Sequence, residues 1–451
     1  MFTCSGRGNK PLWPIPIQAI LILGCFLLLI FLPLLKANQS EAQFLKDIRS
    51  SVSKTWNDTD TDDLQPRLKK VVKTIEESFT LGLPFKIDLV NLNATIKIFG
   101  FGFSPTPKAI LGKDGMFFEG YGRERVEADI IGSFDSVTDY MGLTPFSEEE
   151  LEAWRVCLEE RYYWLKEQGS DYLFVLAPSK ALIYPEKLPS RIYRMKKKLN
   201  KPTRYDQLVA YLKKNSVTPV VDLSIPLLAA KQKASEQHTE ENLPLYYRTD
   251  FHWTYYGAFI AYQAIIDEIN HTYPKYQFHA AQLEDFIIDK KTDWAHIPFI
   301  YALGLKPDQH MDETYLTFFP KQETNYATIA NFFEKGINDY SLPEPTTRSY
   351  DPQAIRQLDN KHGKTPLIYV IGDSFSKKYF SFFSTHAKKT INFRVVNNFS
   401  PQPYLEDAPN LVIQEVLNMY LLQPPPTNPA NIKDARTRAL AAHQNSSSPG
   451  E

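Results

Sequence analysis

Apolar positions fall at helical spacing from Glu148 to Gln168, and Gly169 ends the run. Directly after it, Asp171-Tyr172-Leu173-Phe174-Val175-Leu176-Ala177 is a short apolar stretch closed by Pro178, which predicts a buried strand. Tyr205 to Lys214 predicts another helix, and Val217 to Leu223 the next strand. The same alternation returns near the end of the chain. Pro366 to Ile371 predicts a strand running into Gly372-Asp373-Ser374, Phe375 to Lys388 a helix, and Ile391 to Val396 and Leu411 to Val416 two further strands. Helix and strand in succession imply βα units, so the expected fold class is α/β with a parallel sheet flanked by helices.

Between the two halves the pattern weakens. Residues 271–350, rich in aromatics, Pro, Asp and Lys, read as an insertion over the sheet. Residues 36–80 are polar and helical, broken by the acidic run from Asn57 to Asp63; they read as a stalk or, alternatively, as partner-binding helices. The domain itself is expected to span 81–422. After it, residues 423–451 turn to Pro, Asn, Ala and Ser, a composition expected to stay disordered.

The N-terminus changes this picture. From Ile15 to Leu35 Gln18 alone is strongly polar, and about 20 apolar residues cross a bilayer as a helix. Arg7 and Lys10 precede the run and Lys36 follows it, so the positive-inside rule leaves the stub 1–14 in the cytoplasm and exports the rest. A cleaved signal peptide is the rival reading, although Leu34-Leu35-Lys36-Ala37-Asn38 offers no clean small-x-small site. Of the 3 cysteines, Cys4 and Cys25 fall in the stub and the apolar run. Cys157 alone lies beyond them, which excludes a disulfide-stapled module. A formal net charge of −1 gives no global basic bias, and no nucleic-acid partner is expected.

Two short segments carry candidate chemistry: Thr249-Asp250-Phe251-His252-Trp253 and Gly372-Asp373-Ser374-Phe375-Ser376. In the second, a buried strand ends where a helix begins, the place where doubly wound folds bind ligands. Gly372 permits a sharp turn there, and Ser374 would lie near free helix N–H groups able to hold an oxyanion. Ser374 taken alone equally suits a helix cap. In the first, Asp250 and His252 can face one cleft, the carboxylate fixing the imidazole so that its other nitrogen takes a proton from a serine. Asp250 and His252 taken alone equally suit a surface pair, a cap on a helix from about Thr254, or a metal site short of ligands. Together the segments supply a Ser-His-Asp set, with no metal.

The sequence also resembles the SGNH-hydrolase-like acetyltransferases of bacterial polysaccharide export, the AlgJ/AlgX-like alginate O-acetyltransferase family. Gly112-Lys113-Asp114-Gly115-Met116-Phe117-Phe118 is similar to the family's GKDGWLFY motif, Thr249 to Trp253 to its DTHW motif, and Ile371 to Ser376 to its GDSFS block. Phe174 to Lys180, Tyr184 to Pro189 and Leu411 to Glu415 resemble further strands and loops of the family. The resemblance runs from about 70 to 422. It implies an SGNH-like domain of circularly permuted motif order, with Asp250 and His252 preceding Ser374. It implies Ser374 as nucleophile, His252 as base and Asp250 as its orienter.

It further implies acetyl transfer through an acyl-serine onto hydroxyls of a polysaccharide, with no bound cofactor. The acetyl donor would be supplied by a multi-spanning membrane acyltransferase partner. The chain would be single-pass in a bacterial inner membrane, its C-terminal domain periplasmic. An esterase of the same chemistry and a non-catalytic glycan-binding subunit are the rivals. Asn397 and Asn398 are candidate oxyanion donors or plain turn residues, and Trp253, Tyr255 and Tyr256 candidate sugar platforms or helix packing. Met116 in place of Trp, Phe251 in place of Thr and Asn418-Met419 in place of Glu-Arg depart from the family pattern.

Overall fold

The structure, a computed structural model, describes residues 40–58, 64–82, 86–120, 123–127, 130–134, 136–237, 243–294, 299, 302–305, 312–320, 355–394, 399–421 and 426–446. The chain divides into two compact units, residues 1–95 and 96–451. The first contains helices Ser40–Asp58, Leu64–Gly82 and Lys86–Thr95. The first two join through the hydroxyls of Thr55 and Thr74, 3.0 Å apart, and through the Arg67 guanidinium over the Trp56 ring at 5.1 Å. The stub and the apolar run 15–35 lie outside the described residues. Among the described residues no helix is long and apolar enough to cross a membrane.

The second unit begins with two hairpins, β1 (Ala109–Leu111) with β2 (Phe117–Glu119) and β3 (Arg123–Glu127) with β4 (Ile130–Phe134). Its main sheet takes β5 (Asp171–Ala177) and β6 (Val220–Asp222) from the first half of the unit. A separate antiparallel ladder, β7 (Phe286–Trp294) with β8 (Asp312–Pro320), occupies the stretch read as an insertion. The main sheet is completed by β9 (Ile355–Asp359), β10 (Thr365–Gly372), β11 (Ala387–Arg394) and β12 (Leu411–Leu417), in the order β6-β5-β12-β10-β11-β9.

Five of these strands are parallel neighbours, but β9 pairs antiparallel with β11. The sheet is therefore mixed rather than all parallel. With two apolar residues in Ile-Arg-Gln-Leu-Asp, β9 suits an edge with one partner.

Position in the sheet follows composition. Every residue of β12 is buried, and β5 and β10 flank it in the middle of the sheet. The helix Glu148–Glu167 starts where Ser147 and Glu150 form a reciprocal capping box. It buries Leu151, Trp154, Leu158 and Leu165, each worth about 1.5–3 kcal/mol of transfer free energy.

Two boundaries differ from expectation. The helix after Ser374 stops at Phe383, because Ser384, Thr385 and His386 close three-residue turns onto Ser381, Phe382 and Phe383, and β11 opens at Ala387. The tail is not an uncommitted segment. Residues 426–446 return to the helix Glu148–Glu167, and Ala435–Ser446 is itself helical. The reason is a buried cation: Arg161 donates to the Asn428 side chain at 2.7 Å. Asn428 in turn donates to the Cys157 carbonyl at 2.8 Å, while Ile432 and Ala435 are fully buried nearby.

Candidate active site

The segment carrying Asp250 and His252 is an irregular loop between two close backbone approaches. Tyr246 and Trp253 form an isolated antiparallel bridge, Tyr247 N–H donates to the His252 carbonyl at 3.1 Å, and Thr254 N–H to the Leu245 carbonyl at 2.8 Å. Thr254 then caps the helix Tyr255–Thr272 by accepting the Gly257 N–H at 3.2 Å. Asp250 is therefore not the cap of that helix.

Buried charged groups hold the loop. Lys180 Nζ donates to the carbonyls of Tyr247, Arg248 and Asp250 at 2.9, 3.1 and 2.7 Å. Glu313, on β8, accepts the N–H groups of Arg248 and Thr249 at 2.7 and 2.8 Å and the Thr249 hydroxyl at 2.5 Å. Lys378 Nζ donates to the Trp253 carbonyl at 2.9 Å and lies 4.0 Å from the Tyr247 ring centroid. Burial pulls both lysines down to about 7, against which Asp250 and Glu313 favour their charged forms.

The segment carrying Ser374 is the exit of β10 at the carboxyl edge of the sheet. Asp373 is fully buried and accepts the N–H of Phe375 at 2.8 Å and of Leu417, at the end of β12, at 2.9 Å. The helix Ser376–Phe383 has Phe375 at its cap position with no side-chain cap bond. Ser374 is thus not a capping serine, and its hydroxyl turns elsewhere. Gly372 is needed for space rather than for an unusual backbone angle. A Cβ there would lie 2.5 Å from Glu415 Oε2 and 2.9 Å from Ser376 Cβ.

The two segments, 122 positions apart, meet at one hydrogen bond: Ser374 Oγ lies 2.6 Å from His252 Nε2. On the other side of the imidazole, Nδ1 lies 3.0 and 3.1 Å from the two Asp250 oxygens. A proton on Nδ1 directed at the carboxylate leaves Nε2 to accept the serine O–H. The carboxylate is 7% exposed and the imidazole 16%, so the anion is sheltered while the reactive edge stays reachable. The Phe251 ring stacks on the imidazole with centroids 4.0 Å apart. This arrangement can pass a proton from serine to imidazole and hold the resulting imidazolium beside a carboxylate.

The other expected site residues are placed differently. Trp253 is fully buried, its Nε1–H donating to the Phe375 carbonyl at 3.1 Å, and Tyr255 and Tyr256 are buried in the helix they begin. None offers a ring face to a sugar, so all three serve packing. Asn397 and Asn398 lie outside the described residues. Lys180, Lys378, Glu313 and Asp373 are not in the expected set. Lys378, one turn beyond Ser374, and Lys180, just after a strand, carried a local signal; Glu313, in the weakly patterned stretch, carried none.

Residues 138–292 match the family model described as an SGNH hydrolase-like domain, acetyltransferase AlgX. Over this stretch the chain is AlgX-like. The AlgX-like stretch covers β5, β6, Lys180 and the Asp250–His252 loop and stops before Ser374. The match joins the mixed sheet and its flanking helices as an SGNH-hydrolase-like α/β fold.

Among solved structures, PatB1 of Bacillus cereus, with a sulfonyl adduct, is 16% identical with a TM-score of 0.44, covering 70% of this chain and 95% of that one. The O-acetyltransferase domain of Pseudomonas putida AlgJ is 15% identical with a TM-score of 0.41, covering 74% and 100%. Pseudomonas aeruginosa AlgX is 16% identical with a TM-score of 0.38, covering 69% and 62%. No curated protein matches the chain.

Proposed function

We propose that this chain is an O-acetyltransferase that carries an acetyl group on Ser374 and delivers it to hydroxyls of an exported polysaccharide. The observation that carries the reading is the continuous hydrogen-bond path from Ser374 through His252 to Asp250. The AlgX-like match over 138–292, which includes the base loop, narrows the chemistry to acyl transfer.

In this scheme Ser374 Oγ attacks the donor's acyl carbonyl and its proton passes to His252 Nε2. The leaving group departs with that proton, and acyl-Ser374 remains. The acceptor hydroxyl then gives its proton to His252, its oxygen attacks the ester, and the proton returns to Ser374 Oγ. Asp250 holds the imidazolium formed in each half, and the Ser374 backbone N–H is the proposed first donor to the oxyanion. A multi-spanning membrane acyltransferase is the proposed acetyl source. The apolar run 15–35 is the proposed single-pass anchor in a bacterial inner membrane, with the remainder in the periplasm.

The test follows the acetyl group. The full chain in detergent is given an activated acetyl ester and a panel of polysaccharide fragments, wild type beside Ser374→Ala, and protein and sugars are read by mass spectrometry. Acetyl on the sugars, absent with the variant, is the expected result. Acetate released to water with the sugars unmodified would make the chain an esterase. Equal transfer by Ser374→Ala would remove Ser374 from the mechanism.

A further inference from the structure

Beneath the nucleophile turn lies a carboxyl group that the proposed chemistry does not use. Glu415 sits in β12 and is fully buried. Successive side chains of a strand point to opposite faces. Gln414 takes one face, where its Oε1 accepts from Tyr172 Oη at 2.6 Å and Arg161 Nη1 at 3.1 Å. Glu415 takes the other and reaches the space a side chain on Gly372 would fill.

Gln414 Oε1 has two donors, whereas among the described residues neither oxygen of Glu415 has a hydrogen-bond partner. The N–H groups of Asp373 and Ser376 favour its charged form, less strongly than burial and the Asp373 charge oppose it. A carboxylate left so would bear a desolvation cost that no burial of its stem offsets. Its neighbour Asp373 is the opposite case: each of its oxygens accepts a backbone N–H, one from Phe375 and one from Leu417, as suits an anion.

We propose that Glu415 is a neutral carboxylic acid sharing its proton with the Asp373 carboxylate, and that this acid–carboxylate pair is a positioning device for the Ser374 turn. One proton then answers two problems, giving the buried acid a partner and keeping two adjacent carboxyls from both being charged. Among the described residues, the ionisable groups acting on Glu415 are Asp373 and the hydroxyls of Tyr379 and Tyr246. Burial first, and then the Asp373 charge, push the Glu415 carboxyl well above the usual range. Asp373 bonds to the turn after β10 and to the end of β12, so losing the shared proton would place two anions under the turn that presents Ser374. The consequence for acyl transfer rests on the proposed function; the protonation state does not.

The experiment uses the full chain. Infrared spectra near neutral pH are compared for wild type, wild type grown with isotope-labelled glutamate, and Glu415→Gln. A protonated-carboxyl stretch that shifts with the label and is missing from Glu415→Gln is expected. The label separates it from Asp139, whose carboxyl burial raises to about 6. Absence of any label-sensitive band, or its survival in Glu415→Gln, overturns the proposal. Should that variant not fold, the labelled wild type decides alone.

Positioning is read from the rate at which a sulfonyl fluoride modifies Ser374. Glu415→Gln keeps a donor toward Asp373 and should react as wild type does, while Glu415→Met should react more slowly. Equal rates for the two overturn the positioning role. A wild-type Ser374 inert to the reagent would count against the proposed function and leave the infrared result standing.

Discussion

The loop that presents Asp250 and His252 and the turn that presents Ser374 solve the same problem by different means. The turn grows out of regular structure. β10 delivers it, the helix Ser376–Phe383 carries it away, and one carboxylate, Asp373, ties it to β12. The loop has no ladder of its own between Arg248 and Phe251, and its backbone groups are met by side chains from three other elements. Lys180 takes three carbonyls, Lys378 one, and Glu313 two N–H groups. Irregular buried backbone must find partners somewhere. Here ionisable side chains stand in for most of a neighbouring strand, beside one backbone bond from the Phe117 N–H of β2 to the Arg248 carbonyl at 2.7 Å. The Asp250–His252 side of the site therefore depends on buried ionisable side chains, and the Ser374 side on sheet register and the proposed shared proton.

The largest effect expected from breaking this pairing is on the chemistry itself. Ser374→Ala and His252→Ala should each lower acyl transfer by roughly 10⁴-fold or more, as loss of a triad member does elsewhere. The double variant should be little worse than either alone, since the residues act as a unit. Acetyl transfer measured for the three variants checks this, and additive losses would mean that serine and histidine act separately.

Next in size is a pH effect at the far end of the same pair of helices. The helix that follows the base loop carries Tyr262, and the segment after the nucleophile helix carries His386; Tyr262 Oη lies 2.7 Å from His386 Nε2. Burial lowers the His386 imidazole to about 4, so it is neutral in the folded chain. Between pH 6.5 and about 4 the unfolded chain takes up a proton that the folded chain refuses, and stability falls as pH drops. The loss should approach on the order of 3 kcal/mol at the acid end. Denaturation midpoints across this range, for wild type and His386→Gln, should show a steeper acid decline in wild type. Parallel curves would mean that His386 titrates equally in both states.

Much of this architecture is legible in the chain, and what is not has a physical reason. β5 and the helix Glu148–Glu167 announce themselves by apolar runs and by clean stops at Pro178 and Gly169, all local features. Asp250, His252 and Ser374 were readable because each sits at the edge of a regular element. Glu313 was not, because its meaning depends on two backbone N–H groups 64 and 65 positions earlier. The tail looked uncommitted for a similar reason. Its Asn428 is recruited by Arg161, 267 positions away, and polar composition alone does not reveal that a buried guanidinium needs a partner. Trp253 and Tyr255 suited sugar platforms by type, but residues flanking a buried loop serve packing before they serve ligands.

Lys378 sharpens the comparison, because it leaves the nucleophile helix and holds the base loop. Lys378→Met replaces a buried ammonium with an apolar chain of similar length. Such a swap removes the desolvation cost that pulls this lysine down to about 7. The Trp253 carbonyl loses its donor, however, and His252 is free to drift from Ser374. A displacement of about 1 Å is enough to cost roughly 10²-fold in rate. Thermal stability near that of wild type with slowed acylation of Ser374 is the expected outcome. A large loss of stability with an unchanged rate per folded molecule would make the lysine a prop of the fold rather than of the site.

Trp253→Phe should give the smallest effect, and it isolates the second tie between the two segments. The indole Nε1–H donates to the Phe375 carbonyl, one residue past Ser374, while its rings pack on Phe375 and Tyr379 with centroids 4.8 and 5.9 Å away. Phenylalanine keeps most of that packing and removes the donor. The Phe375 carbonyl then loses a partner in a fully buried place, which costs about 1 kcal/mol. With Lys378 still bonded to the Trp253 position's carbonyl, His252 should keep its distance from Ser374 and the rate should change little. A double-mutant cycle of Trp253→Phe with Lys378→Met decides whether the two ties share the load. Their combined effect on acylation should exceed the sum of the single losses, because Trp253 is the tie that still limits the drift of His252 when Lys378 is gone. Simple additivity would mean that the two ties act independently on the position of the loop.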